Sequence, residues 1–412
     1  MTPPHRSPGE AATRASGSAV LLVAAIVVVA LNMRGPVVAV SAVLEPVQAE
    51  LGINAGTAGL LTSLPVLCFG LAAPPASALL ARTGLARGVS ISLVVLLAGI
   101  VVRSLDGLPG ALGGTVLIGL GITVANVAVP VVIGQDLPRW SGAVLGVYTA
   151  ALNLGSMITL SLTVPIADVV GWRVALLSWG GLVVVGMAAW WYATRVPVRM
   201  RAADELNGQA DGGAGRLRDD RVWWRRPVVW GLTAGFAGQA FAYYGATAWL
   251  PLLLHDELDM TPAAAAASSS IFQVAALFGA FGVPVLLRVC PGPRSVVLIV
   301  AAAWVTLPLG LLFALPLWPV WCAVAGAGQG GGLVVVFALV VSRSRDVVES
   351  RRLSALVQGG GYVVAATGPA VIGAVHEATS NWTAPLLVIL TSIVLFCVAT
   401  TTSAGRRRAK SR

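Results

Sequence analysis

Long apolar runs dominate the pattern of this sequence of 412 residues. Runs of roughly 20 residues, each long enough to cross the hydrocarbon layer of a membrane, recur from Ala19 to Thr401 with glycine, proline or charged residues between them. By this criterion we predict about twelve transmembrane helices, with ends placed to within about 2 to 4 residues. They cover residues 19–43, 55–80, 85–102, 108–134, 140–164, 172–193, 228–254, 263–287, 295–315, 317–341, 353–375 and 382–401.

A polar stretch separates the sixth run from the seventh. Between Arg195 and Arg226, arginines mix with acidic, amide and glycine residues, a composition typical of a mobile linker. The predicted organisation is a cytoplasmic N-terminal tail (1–18), an N-terminal half of six helices (19–193), a cytoplasmic linker (194–227), a C-terminal half of six helices (228–402) and a basic cytoplasmic tail (403–412).

The two halves also echo one another. Gly119 and Gly121 precede Asn126 in the fourth run, and Gly326 and Gly328 precede an amide residue, glutamine, in the tenth. Because glycines followed by an amide residue recur at equivalent places in the two halves, the sequence favours duplication of a six-helix unit, with a solute path between the halves.

The composition also indicates a membrane protein. Hydrophobic residues make up 57% of it, charged residues 11%, and the mean hydropathy is +0.85, which exceeds what a soluble core needs. The net charge of +10 does not form a nucleic-acid patch, because the arginines cluster in alternate connections. The positive-inside rule therefore predicts that both termini and the linker are cytoplasmic, in the plasma membrane. Among basic residues, only Arg103 and Arg173 fall in the opposite connections.

The four cysteines, Cys68, Cys290, Cys322 and Cys397, are scattered. We expect neither a disulfide framework nor a metal site from them, and no cofactor.

Short motifs make the family resemblance specific. Residues 32–36 (Asn-Met-Arg-Gly-Pro), 248–251 (Ala-Trp-Leu-Pro) and 358–362 (Gln-Gly-Gly-Gly-Tyr) resemble the cyanate permease and 2-nitroimidazole exporter branch of the major facilitator superfamily. The resemblance covers nearly the whole chain after Ala19. It implies an all-α membrane fold of twelve helices in two halves.

The same resemblance suggests two gating loops. Basic residues with glycine follow the second and eighth runs, at Arg82, Arg87, Arg288 and Arg294. The superfamily pattern has an acidic residue just before the first basic one, whereas Ala81 stands there in this chain. We therefore assume no charge-pair gate, although Arg82 and Arg87 can still meet helix C-termini.

Arg34 is the most informative single residue. It lies about 22 Å along the first helix, where a charged group is expensive. One interpretation is a cationic anchor for an anionic or electron-rich solute between the halves. The alternative is an arginine that reaches outward to the interface or bonds a neighbouring carbonyl.

Other polar and aromatic residues at depth are candidates for solute contact. Gln239 and Tyr243 are four residues apart, as are Gln358 and Tyr362, so each pair shares a helix face. The further candidates are Asn32, Asn126, Trp249, Gln273 and Gln329. Hydrogen bonding between helices is the competing explanation for the amides, and it is favoured for Asn153. An interfacial aromatic belt is the competing explanation for Trp249.

These observations predict a secondary transporter that moves a small polar or anionic solute, a cyanate-like anion or a nitroimidazole-like heterocycle, by alternating access. A broad drug exporter and a non-transporting membrane sensor are the alternatives. No enzyme constellation or phosphate-binding loop is present in the sequence, and no acidic residue lies deep in a predicted span. We expect a monomer whose partners are the solute and the lipid bilayer, with no nucleic acid.

Overall fold

The computed structural model describes residues 8–105, 107–137, 140–195, 223–344 and 347–405. Within these ranges the chain is built from α-helices and two short 3-10 helices. The first half contains α1 (Pro8–Ala42), α2 (Leu44–Leu51), α3 (Ala55–Leu71), α4 (Ala73–Thr83), α5 (Leu85–Arg103), α6 (Gly107–Asp136), α7 (Ser141–Val170) and α8 (Trp172–Arg195). The second half contains α9 (Pro227–Leu258), α10 (Pro262–Val289), α11 (Pro293–Phe313), α12 (Trp318–Arg343), α13 (Val347–Ala365), α14 (Gly368–Thr379) and α15 (Thr383–Ser403). Residues 196–222 of the predicted linker and 406–412 of the predicted basic tail lie outside the described residues.

Every predicted membrane span falls on these helices. Two spans are each divided into consecutive helices, α3 with α4 and α13 with α14. Prolines explain both breaks, because Pro74 and Pro369 follow them closely and lack the amide hydrogen that would continue the helix.

Hydropathy alone identifies most of these spans. Among the described residues, ten helical stretches are long and apolar enough to cross a membrane, one of them formed by α13 and α14 together, and α2 with α3, bent by 120°, would add one more. The seventh predicted span, α9, is not among the ten. It is 32 residues long but includes amide, tyrosine and glycine residues that lower its hydropathy.

The direction of each helix follows from its contacts. Asn32 of α1 bonds the carbonyl oxygen of Leu182 in α8, and Gly186 of α8 lies against Val28. Gly231 and Gly238 of α9 lie against Ser403 and Ser392 of α15, so both pairs are antiparallel. Because His255 near the end of α9 lies close to Glu45, just after α1, α1, α8, α9 and α15 all have their outer chain ends on one side of the bundle. We call this side the terminal end and the opposite side the distal end.

Glycines let the two halves approach closely at the distal end. A Cβ atom at Gly59 of α3 would lie 2.7 Å from Cα of Ala370 in α14. One at Gly373 of α14 would lie 2.4 Å from the ring of Trp249 and 2.7 Å from the carbonyl oxygen of Ala55. Such contacts exclude any side chain larger than hydrogen, so α3, α9 and α14 close the distal end.

A second close pair lies inside the first half. A Cβ atom at Gly99 of α5 would lie 2.6 Å from the amide nitrogen of Ile118 in α6, and one at Gly114 of α6 would lie 2.2 Å from the amide nitrogen of Arg103. The backbones of α5 and α6 therefore touch along much of their length, which makes the pair a rigid support behind α1.

Candidate functional site

A cavity of about 800 Å³ lies between the two halves. Residues from α1, α3, α4, α6, α7, α9, α12 and α13 line it, and most of them belong to the terminal halves of their helices. Its walls are mainly apolar, with a small set of polar side chains. These are Arg34, Ser77, Thr123, Asn126, Tyr148, Thr149, Tyr243, Tyr244, Gln358 and Tyr362.

Arg34 joins the two halves through one nitrogen. Its Nη1 donates to Oδ1 of Asn153 in α7 at 3.1 Å and to the hydroxyl of Tyr243 in α9 at 3.4 Å. Asn153 in turn donates to the carbonyl oxygen of Thr149 at 3.0 Å. The guanidinium is thus held by neutral oxygens from both sides of the cavity.

Small residues place Arg34 within reach of Asn153. A Cβ atom at Gly155 of α7 would lie 2.2 Å from the carbonyl oxygen of Leu31, and one at Gly35 would lie 2.8 Å from the methyl group of Thr159. Because α1 and α7 touch here backbone to backbone, the side chain of Arg34 must turn toward the cavity and its neighbour Asn153.

The charge of Arg34 meets no carboxylate. No aspartate or glutamate among the described residues lines the cavity. Within the described part of the chain, Nε and Nη2 of Arg34 have no hydrogen-bond partner, so these donors remain available. A guanidinium with free donors in a largely apolar cavity is a strong site for a carboxylate, nitro group or small anion.

Tyrosines line the cavity around this charge. The chain has five tyrosines, and four of them, Tyr148, Tyr243, Tyr244 and Tyr362, line the cavity. The ring centroids of Tyr243 and Tyr244 are 4.9 Å apart, and those of Tyr244 and Tyr362 are 6.4 Å apart. Their faces and hydroxyls suit a flat solute that can both stack and accept hydrogen bonds.

The first half contributes a second polar pair. The hydroxyl of Tyr148 lies 3.4 Å from Oδ1 of Asn126, and both residues line the cavity. On the other side, Nε2 of Gln358 donates to the hydroxyl of Ser354 at 2.9 Å. The structure therefore brings Arg34, Asn126, Tyr243, Gln358 and Tyr362, all predicted from the sequence, to one cavity.

Three of the amide residues predicted to contact the solute lie outside the cavity and within the helix packing. Asn32 is 1% exposed and donates to the carbonyl oxygens of Val28 and Leu182, at 2.8 and 3.1 Å. Gln239 donates to the carbonyl oxygen of Gln329 at 3.1 Å. None of Asn32, Gln239 and Gln329 lines the cavity.

Gln273 supports the cavity from behind. It accepts a hydrogen bond from the Tyr243 hydroxyl at 3.2 Å and donates to the Thr247 hydroxyl at 3.1 Å. A chain of hydrogen bonds thus runs from Arg34 through Tyr243 to α10. Gln273 acts on the cavity through Tyr243 and does not line it.

Trp249 lies at the distal closure. Its side chain is 1% exposed, so it is not part of an interfacial aromatic belt, and its Nε1 donates to the carbonyl oxygen of Pro369 at 2.7 Å. It holds α9 against α14, away from the cavity.

The residues of the predicted gating loops lie at the terminal end. Arg82, Arg87, Arg288 and Arg294 are exposed, and none of them pairs with an acidic residue among the described ranges. Their role in gating stays a prediction.

Two features of the site could not be predicted from the sequence. The sequence favours interhelical bonding for Asn153, but it does not identify Arg34 as the partner. The sequence places Arg103 at an outer connection, where α5 ends, but it does not indicate that the side chain is buried, with 2% exposed. The concentration of the few tyrosines in neighbouring helices was a signal that could have identified Tyr148.

A smaller cavity of about 260 Å³ opens at the distal end. Ser41, Glu45, Asp168 and His255 contribute its polar lining, and Nε2 of His255 lies 3.9 Å from a carboxylate oxygen of Glu45. It shares no lining residue with the larger cavity.

The sequence matches the family model described as Major Facilitator Superfamily over residues 20–321. It is 30% identical to an uncharacterized transporter of Bacillus subtilis (strain 168) over 94% of both chains. It is 27% identical to the 2-nitroimidazole transporter of Escherichia coli (strain K12), over 92% of this chain and 94% of the relative. It is 24% identical to the cyanate transport protein of the same organism, over 87% and 90% of the two chains.

Solved structures show the same fold at low identity. A D-xylose-proton symporter superposes with a TM-score of 0.73 at 12% identity, over 92% of this chain and 97% of the other. A bacterial homolog of the human lysosomal transporter Spinster, in an inward-facing and unoccupied conformation, superposes with a TM-score of 0.70 at 18% identity, over 94% and 95% of the two chains.

Proposed function

Since the chain belongs to the major facilitator superfamily, we propose that it carries a small planar solute with an anionic or electron-rich edge across the membrane by alternating access. The family and the named relatives make it a multi-pass membrane transporter rather than an enzyme. The resemblance predicted from the sequence motifs is thereby confirmed. The class of solute and the alternating-access cycle are what we propose here.

One observation carries the choice of solute. Arg34 projects into the central cavity with Nε and Nη2 unbonded within the described part of the chain, and no described carboxylate neutralises it. A solute that presents two oxygens in one plane would pair with these donors in the bidentate manner that a guanidinium favours.

The size of the cavity narrows the solute further. About 800 Å³ is within the range of roughly 300 to 1,000 Å³ that is usual for pockets that bind organic ligands. A triatomic anion would leave most of this volume to water and would not use the tyrosine wall. A nitroimidazole-like heterocycle would place its acceptor group on Arg34 and its ring among Tyr243, Tyr244 and Tyr362.

A cyanate-like anion is the second candidate. One relative is a cyanate transport protein, and Arg34 alone would suffice for a small anion. The two candidates differ in their need for the aromatic wall, which makes them separable by substitution of Tyr362.

The closed distal end supports alternating access. The cavity lies in the terminal half of the bundle, and α3, α9 and α14 separate it from the distal face. With both termini in the cytoplasm, as the arginine distribution predicts, this conformation faces inward. Opening would require the Gly59 and Gly373 contacts to separate while the terminal ends of the halves close.

A binding and flux experiment on purified full-length protein tests the proposal. We expect 2-nitroimidazole to raise the melting temperature, because a solute that binds only the folded state stabilises it, and to accumulate in proteoliposomes. Cyanate and nitrate at equal concentration separate the second candidate. Binding without flux would indicate a sensor, shifts by many unrelated drugs would indicate a broad exporter, and no response to any of these solutes would reject the proposal.

A further inference from the structure

A second buried arginine lies behind the first. Arg103, the last residue of α5, is 2% exposed. Its Nη1 donates to the carbonyl oxygen of Pro36 in α1 at 2.5 Å. Pro36 is two residues after Arg34, at the point where α1 lacks one of its internal hydrogen bonds.

The guanidinium of Arg103 is poorly suited to a purely stabilising role. Its Nε and Nη2 have no hydrogen-bond partner within the described part of the chain, and a buried donor without a partner destabilises a fold. An apolar side chain of similar length would fill the same space without unbonded donors. The one contact that an apolar residue cannot replace is the hydrogen bond to Pro36.

That contact fixes the segment that carries Arg34. On one side, α1 is held by α7, where Gly155 lies against the backbone of Leu31. On the other side, α5 is held by α6, because Gly114 lies against the backbone of Arg103. Arg103 reaches from this rigid pair to the carbonyl oxygen of Pro36 inside α1, so α1 is supported on both sides near the position of Arg34.

We propose that Arg103 is a positioning residue that orients Arg34 toward the solute by fixing the carbonyl group of Pro36. This inference rests on the proposed role of Arg34 in solute binding. It assigns Arg103 no contact with the solute. It predicts that the hydrogen bond to Pro36, rather than the positive charge of Arg103, determines the orientation of Arg34.

The test begins with a measurement that needs no solute. In protein labelled with ¹⁵N-arginine, the Nε–H signal of Arg34 is identified as the one that disappears in Arg34→Gln. We expect Arg103→Met to move this signal and Arg103→Gln, which keeps an N–H donor for Pro36 but removes the charge, to leave it near its original position. Leu93→Ala, which removes buried volume from α5 without touching Pro36, is the matched control for general loosening.

Binding of 2-nitroimidazole then tests the consequence. Arg103→Met should weaken binding about tenfold, within the range seen when groups that orient a ligating residue are removed. It should have no further effect in the Arg34→Gln background. An equal loss in both backgrounds, or an Arg34 signal that responds to Leu93→Ala as much as to Arg103→Met, would overturn the inference. If wild-type protein does not bind 2-nitroimidazole, the proposed solute is wrong, and the Arg34 signal alone decides the role of Arg103.

Discussion

Nη1 of Arg34 and the hydroxyl of Tyr243 meet at 3.4 Å across the interface between the halves. Arg34 lies in α1 and Tyr243 in α9, which are the first membrane-spanning helix of each half. Tyr243 accepts from Nη1, whereas the proposed solute pairs with Nε and Nη2 of the same guanidinium. Solute binding and the contact between the halves are therefore linked at one side chain.

Substitution of Arg34 tests whether its charge binds the solute. We expect Arg34→Gln to weaken binding of an anionic or nitro-bearing solute by about one to two decades, because a charge-assisted hydrogen bond contributes about 1.5 to 3 kcal/mol. Arg34→Lys keeps the charge but loses the planar guanidinium group, so it should weaken binding less than Arg34→Gln does. Isothermal titration with purified protein measures both.

Expression and melting temperature serve as the control for Arg34, since a structural arginine would fail through misfolding. A folded Arg34→Gln protein that binds with unchanged affinity would favour an arginine that only bonds neighbouring helices.

Tyr243→Phe isolates the hydrogen bond across the interface. It removes the hydroxyl that accepts from Arg34 and donates to Gln273, but it keeps the ring beside the cavity. A hydrogen bond to a charged group contributes about 1.5 to 3 kcal/mol. We expect the variant to bind the solute about as tightly as the wild type, because the solute pairs with Nε and Nη2 of Arg34 and Tyr243 with Nη1.

The same tyrosine change should alter transport rate more than binding, since the contact between the halves is lost in the empty carrier. Counterflow in proteoliposomes measures this rate. Tyr192→Phe, on an exposed surface of α8, is the matched control, and a tenfold loss of affinity in Tyr243→Phe would instead make the hydroxyl a direct ligand.

The membrane spans and the candidate role of Arg34 could be predicted because each can be read from a short stretch of the sequence. A membrane span can be recognised from about 20 consecutive residues. Arg34 can be recognised as a candidate because a charged residue at that depth is rare. The roles of the amides depend on which neighbouring helix each one faces. Gln239 and Tyr243 share a face of α9, yet Gln239 meets the backbone of α12 whereas Tyr243 reaches the cavity.

The burial of Arg103 has a similar origin. The hydropathy pattern ends one residue before it, so the sequence predicts a residue at the start of a connection and does not show which way its side chain turns. Only the close packing of Gly114 against its backbone and the position of Pro36 reveal that it is buried. Such contacts join residues that are distant in sequence, and no local pattern encodes them.

Topology can be tested by labelling single cysteines in intact cells. The arginine asymmetry predicts a cytoplasmic linker and an external connection between α9 and α10. In a background without the four native cysteines, Glu257→Cys should react with a membrane-impermeant maleimide and Gly212→Cys should react only after lysis. The opposite pattern would invert the topology and make the central cavity outward-facing.

Acidic residues at helix ends should be dispensable for binding. Asp136, Asp168 and Glu377 do not line the central cavity, although Asp168 lines the smaller distal one. We expect Asp136→Asn, Asp168→Asn and Glu377→Gln each to retain solute affinity within about threefold, because a distance beyond direct contact leaves little screened interaction. Loss of binding in one folded variant would move the solute or a proton site toward that helix end.

Gly59 provides the test of the distal closure. A Cβ atom there would lie 2.7 Å from both Cα of Ala370 and the carbonyl oxygen of Pro369, so neither neighbour can yield without movement of α14. Overpacking of this kind destabilises the closed arrangement by about 1 to 3 kcal/mol, which would shift the carrier toward a distal-open conformation. Gly59→Ala should do so partly, and Gly59→Leu more completely.

Spin labels at Thr57 in α3 and Glu377 in α14 report the separation of the distal ends in a cysteine-free background. We expect Gly59→Leu to lengthen the main distance and to slow transport, because the carrier would no longer close around the cavity from that side. Gly56→Ala in the same helix is the matched control, since its Cβ atom would meet Ala374 at an ordinary 3.6 Å. An unchanged distance distribution in a folded Gly59→Leu protein would show that the halves do not separate along α3 and α14, and the opening path would have to lie between other helices.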